Sequence, residues 1–93
     1  MRIATSCVLG LLAGVITLSS TGLAQAQSCD QLWYERNAVY KRAGYCFKTP
    51  RAIATFGNAG CMYDSEYQLP LSPRQRARIA WIIRMEQQYG CRY

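Results

Sequence analysis

Apolar and polar positions divide the chain into four stretches with different periods. Residues 3–18 form an apolar run broken by Thr5, Ser6, Gly10, Gly14 and Thr17, preceded by Arg2 and followed by Ala24-Gln25-Ala26. A basic start, an apolar centre and an A-x-A ending predict a Sec-type signal peptide over residues 1–26, cleaved after Ala26. The run is too short and too interrupted for the ~20 residues of a spanning helix, so no stable membrane anchor is expected. Beyond it, Leu32, Val39 and Ala43 recur at helical spacing until Gly44. Ser28 with Gln31 three residues on reads as a capping box, which places a first helix from about Cys29 to Ala43.

Two further helices announce themselves by their starts. Thr49-Pro50 and Ser72-Pro73 each put a capping hydroxyl before a proline at the first helical position. The second helix is short, ending at Gly57; the third runs for about sixteen residues, with Gln75 completing a capping box and Gly90 as its stop. Residues 58–71 contain Gly60, Asp64, Ser65 and Pro70 without a sustained period, so they read as a loop. The fold class is mainly α: a small three-helix, disulfide-stabilised domain over residues 27–93.

Cysteine count completes that picture. Loss of the leader removes Cys7 and Arg2, leaving Cys29, Cys46, Cys61 and Cys91 and one fewer net positive charge than the +6 of the whole chain. Ordering so short a domain costs on the order of 100 kcal/mol, which a small core offsets only narrowly, so cross-links are expected. Four cysteines allow three pairings, which sequence alone does not separate. The preferred one joins Cys46 to Cys61, bracketing the short helix for about 3 kcal/mol, and Cys29 to Cys91, tying the ends of the domain for somewhat more than about 4 kcal/mol. Zinc is disfavoured, because there is no C-x-x-C pair and no histidine.

On the third helix Ile79, Ile82, Ile83 and Tyr89 fall in one sector, widened by Met85 and Trp81, and predict its core face. On the first, Arg36 shares the stripe of Leu32, flanked by Trp33 and Tyr40, and so is expected to be partly buried and to bond backbone carbonyls, Asp64 or Glu66. Arg74, Arg76, Arg78 and Arg84 scatter around the third helix, which fits a solvated surface and not a nucleic-acid stripe. Most of the seven tyrosines are expected in packing, with Tyr34 and Tyr67 as exposed exceptions. Catalysis finds no general base in a chain without histidine, no free thiol, and no recognised carboxylate pair among Asp30, Glu35, Asp64, Glu66 and Glu86. No enzyme, cofactor or metal site is expected.

The stretch Leu32-Trp33-Tyr34-Glu35-Arg36-Asn37-Ala38-Val39-Tyr40-Lys41-Arg42-Ala43-Gly44-Tyr45-Cys46-Phe47 resembles the YARHG domain, a short bacterial extracytoplasmic module. Leu32, Trp33, Tyr34, Arg36, Asn37, Tyr40, Arg42, Gly44, Tyr45 and Phe47 match its pattern, and Phe56 and Tyr63 fall where the family tends to carry aromatics. Lys41 and Ala43 depart from the name motif, standing for its alanine and histidine. The resemblance implies an envelope or extracellular setting and a cell-wall binding role.

The expected function is that of a non-catalytic periplasmic or secreted domain. It would bind an envelope component, such as peptidoglycan or another anionic glycan, through Arg36, Lys41, Arg42, Tyr34 and Tyr67. The alternative is a protein-interaction or inhibitor module that presents Asp64 to Leu69 to an envelope protein. Nucleic acid is not an expected partner.

Overall fold

A computed structural model describes residues 21–93, with side chains from Ser28 onward. Among the described residues three α-helices follow one another: α1 (Thr21–Ala43), α2 (Pro50–Phe56) and α3 (Pro73–Gln88), with a 3-10 turn at Glu66–Gln68 in the connection before α3. α1 is the spine, packed on α3 along one side and on α2 along another. Its partners run in reverse order, Cys29 bonding Cys91 and Glu35 meeting Arg78, so α1 and α3 are antiparallel.

The capping signals before α2 and α3 act as the sequence predicts. Thr49 Oγ1 accepts from the Ala52 amide, and Ser72 and Gln75 exchange hydrogen bonds, Gln75 N to Ser72 Oγ at 3.1 Å and Ser72 N to Gln75 Oε1 at 2.8 Å. These bonds satisfy amide donors that the first helical turn leaves open. The start of α1 differs. Helix extends back to Thr21, so the backbone continues through Ser28, and Gln31 donates to Glu35 at 3.4 Å instead of closing a box with Ser28. Leu23, Ala24 and Ala26, with Gln25 and Gln27, are good helix formers, so nothing local stops the helix at Ser28. Residues 1–20 of the expected signal peptide lie outside the described residues, and residues 21–26 form the first turns of α1.

Trp33, Val39 and Tyr40 of α1 pack with Phe47, Ala52, Leu69 and Ile79 in one core cluster, and Leu32 and Ile82 are buried as well. Rings carry much of this packing: Tyr40 to Tyr45, Tyr45 to Phe47, Phe47 to Phe56 and Phe56 to Trp33 lie 5.2–6.1 Å apart between centroids. Each such pair adds about 0.5–1.5 kcal/mol beyond burial alone. Both disulfides pair as preferred, Cys46 with Cys61 and Cys29 with Cys91.

Gly44 ends α1 with φ +96°, and its carbonyl accepts from the amides of Met62 and Tyr63. Cys46 then donates to the Tyr63 carbonyl, forming one isolated parallel bridge between Tyr45 and Tyr63. Asn58 adds a side-chain rung, accepting from Phe47 N at 2.7 Å and donating to Phe47 O at 2.9 Å. The connection expected to be a loop is therefore a loop tied at three places: by Cys61, by the bridge and by Asn58.

The core face of α3 is narrower than its sequence predicts. Ile79, Ile82 and Glu86 are buried, whereas Ile83, Tyr89 and Trp81 stay about two-fifths exposed. A helix that packs on one neighbour buries one stripe, and Glu86 is drawn into that stripe by a charge on α1.

Candidate functional site

Arg36 and Glu86 form the most buried ion pair of the described residues. Arg36 Nε and Nη2 donate to the two Glu86 oxygens at 2.7 and 3.0 Å, with side-chain exposures of 18% and 9%. The expected partners Asp64 and Glu66 are not those used; the stripe that holds Arg36 faces α3, which offers Glu86, whereas Asp64 reaches out to Lys48 at 3.9 Å. Burial alone would lower the Arg36 pKa, but the hydrogen bonds and charge of Glu86 outweigh it and raise the value. Arg36 thus fastens α1 to α3, over the Tyr40 ring at 6.0 Å.

The other expected ligand residues do not converge. Lys41 donates to the Gly57 carbonyl at 3.2 Å, fastening α1 to the end of α2. Arg42 is exposed one position further on. Tyr34 is half exposed, its ring 5.1 Å from that of Phe56, and Tyr67 stands on the 3-10 turn at 98% exposure. Tyr67 is held out by its neighbours: Ser65 caps the turn, and Leu69 is buried after it.

A groove of about 280 Å³ lies elsewhere, along the seam of α1 and α3. Leu32 and Met85 line its apolar part, Trp81 and Tyr89 supply rings, and Gln31, Glu35 and Arg78 supply polar groups, with Ser28 at its end. Arg78 donates to Glu35 at 2.7 Å and lies over the Trp81 ring at 5.1 Å. Spacing of four residues puts Trp81, Met85 and Tyr89 on one flank of α3, beside the core stripe. Because they flank the isoleucines, the sequence reads them as core; a one-sided packing of α3 leaves Trp81 and Tyr89 exposed and Met85 half-buried instead.

A second aromatic cluster sits at the start of α2. The Arg51 guanidinium lies 3.8 Å from the Trp33 ring centroid and 5.8 Å from that of Tyr93, and bonds Asp30 at 3.1 Å. Tyr93 donates to the Cys29 carbonyl at 2.8 Å, and burial, followed by the Glu86 carboxylate, pushes its phenol up to about 12. Burial also raises Tyr40 and Tyr45, helped in both by the charge of Glu66. None of these phenols is ionised at neutral pH, so none offers a base.

Among the described residues no group of three or more His, Cys, Asp or Glu could hold a metal ion, and no helix is long and apolar enough to cross a membrane. Asp30, Glu35, Asp64 and Glu86 each face a lysine or arginine. Arg42, Arg74, Arg76, Arg84 and Arg92 are exposed and have no acidic partner among the described residues.

The family model of the YARHG domain matches residues 15–87. Its match begins within the stretch read as a leader and reaches almost to the end of α3. No curated protein and no solved structure matches the chain.

Proposed function

The chain belongs to the YARHG domain family, whose members are extracytoplasmic domains, and from that premise we propose that it is an exported, non-catalytic domain that binds an anionic component of the cell envelope, peptidoglycan or another acidic glycan. The observation that carries this reading is the charge arrangement. Four of the five acids of residues 27–93 are spent on ion pairs, so the field at the surface is set by five exposed arginines without acidic partners among the described residues. Such a surplus attracts polyanions, with a strength that salt screens. Arg42, from the name motif, belongs to it; Arg36 and Lys41 serve by holding the helices in place.

Export is supported by the two disulfides, which persist in oxidising compartments, and by the leader-like residues 1–26. Periplasmic expression followed by intact mass tests it: a product starting at Gln27 that takes up four alkyl groups only after reduction agrees, and four free thiols would end it. Binding is tested by pull-down with purified cell wall, and absence of binding at low salt would rule the reading out.

One observation favours a second reading. Tyr67 is almost fully exposed on a turn that Ser65 caps and buried Leu69 follows, the form of a protein-recognition anchor. Capture of an envelope protein that disappears on Tyr67→Ala, with no wall binding, would favour it.

A further inference from the structure

We propose that the groove between α1 and α3 is a subsite for one neutral sugar ring of a glycan, with Trp81 as its stacking platform. The inference rests on the proposed glycan binding and assigns a separate place to the sugar. Its chemistry follows from what the groove would reject. A hydrocarbon ligand would cover Glu35 and Arg78 and strip their charges of water without offering hydrogen bonds. An anion would face the Glu35 carboxylate, and a cation the Arg78 guanidinium, because the two are held together at 2.7 Å. A neutral polyhydroxylated ring meets neither penalty. Its C–H face lies on an aromatic ring, while its hydroxyls donate to Glu35 and accept from Arg78 and Gln31.

Two features give the groove this character before any ligand arrives. Trp81 remains 41% exposed although Arg78 lies over its ring, and Tyr89 is exposed to the same extent at the other end of the Met85 side chain's stretch of helix. Glu35 and Arg78 hydrogen-bond each other from different helices, so their polar atoms meet across the seam. The volume of about 280 Å³ suits one ring with its substituents and not a folded partner. None of the five arginines that carry the long-range attraction, Arg74, Arg76 and Arg84 of α3 included, is among the groove's lining residues. Charge and sugar contacts are therefore separable by mutation.

The test uses the exported, oxidised protein and neutral oligosaccharides of N-acetylglucosamine, followed by the indole N–H resonances of Trp33 and Trp81 in a two-dimensional NMR titration. The expected result is a saturable shift of the Trp81 signal with Trp33 little changed. Trp81→Ala should weaken the binding, followed through backbone amides of α3, by about tenfold or more, as for truncation of a buried aromatic anchor. A charge-reversed Arg74→Glu/Arg76→Glu/Arg84→Glu variant should keep the shift while losing wall binding. No Trp81 shift in a protein that still binds wall overturns the sugar subsite and spares the envelope reading. A shift without any wall binding by the unmutated protein overturns the envelope reading, and undiminished oligosaccharide binding by Trp81→Ala overturns the subsite.

Discussion

Glu86 is an acid inside the core stripe of α3, and its presence there depends on one guanidinium. Removing it as Glu86→Ala should leave Arg36 buried without a counter-charge and cost about 3 kcal/mol, measured by urea unfolding. The pair replaced together, as Arg36→Met with Glu86→Leu, should cost less than either single change, because neither charge is then left alone. Tyr93 gives a prediction in pH. Its folded value near 12 lies above the ordinary 10, so the folded state holds the proton more tightly and stability declines as pH rises from 10 through 12. Tyr40 and Tyr45 are raised also and act in the same direction. Tyr93→Phe should therefore melt at nearly the wild-type temperature at neutral pH and lose less than the wild type between pH 10 and 12, apart from the hydrogen bond to Cys29.

Between elements, the turn at Gly44 and the two disulfides decide whether the helices dock. A β-carbon at Gly44 would meet the Tyr63 ring at 3.3 Å from a backbone at φ +96°, so Gly44→Ala should cost about 2 kcal/mol by thermal or chemical unfolding. Replacing Cys46 and Cys61 by serine should cost about 3 kcal/mol, and replacing Cys29 and Cys91 about 4 kcal/mol, since the second pair closes the longer loop. Much at this scale was legible in the sequence. Thr49-Pro50, Ser72-Pro73 and Gln75 are local signals whose meaning does not depend on the rest of the fold; the cysteine pairing is only a preference in the sequence, resting on which elements each bond would bracket, and the structure selects it from three. The start of α1 is not legible locally, because Ser28 can cap a helix only where the preceding residues leave it, and Thr21–Gln27 continue it instead. The partial burial of Arg36 is legible in the sequence but its partner Glu86 is not, because a pattern fixes which face a residue occupies and not which neighbour packs there. The groove escaped for the same reason: Trp81, Met85 and Tyr89 have the spacing of a core face, and only the one-sided packing of α3 leaves them open.

As a whole, the molecule combines a scaffold with two surfaces of different reach. Two disulfides close the small core that these helices share, and four of the five acids of residues 27–93 stand in ion pairs; the export we propose supplies the oxidising setting in which such bonds persist. In the function we propose, the cationic surface acts over roughly 10 Å at moderate salt and the groove only on contact. The surface ion pairs of Asp30, Glu35 and Asp64 contribute at most about 1 kcal/mol each to folding, so their larger consequence is to leave the arginines uncompensated. The measurement that tests this most directly is co-sedimentation of the oxidised protein with purified cell wall across a salt series, beside the Arg74→Glu/Arg76→Glu/Arg84→Glu variant. The account predicts binding at low salt that weakens steadily as salt rises and is largely lost in the variant; absence of binding at low salt, or binding that neither salt nor charge reversal reduces, would contradict it.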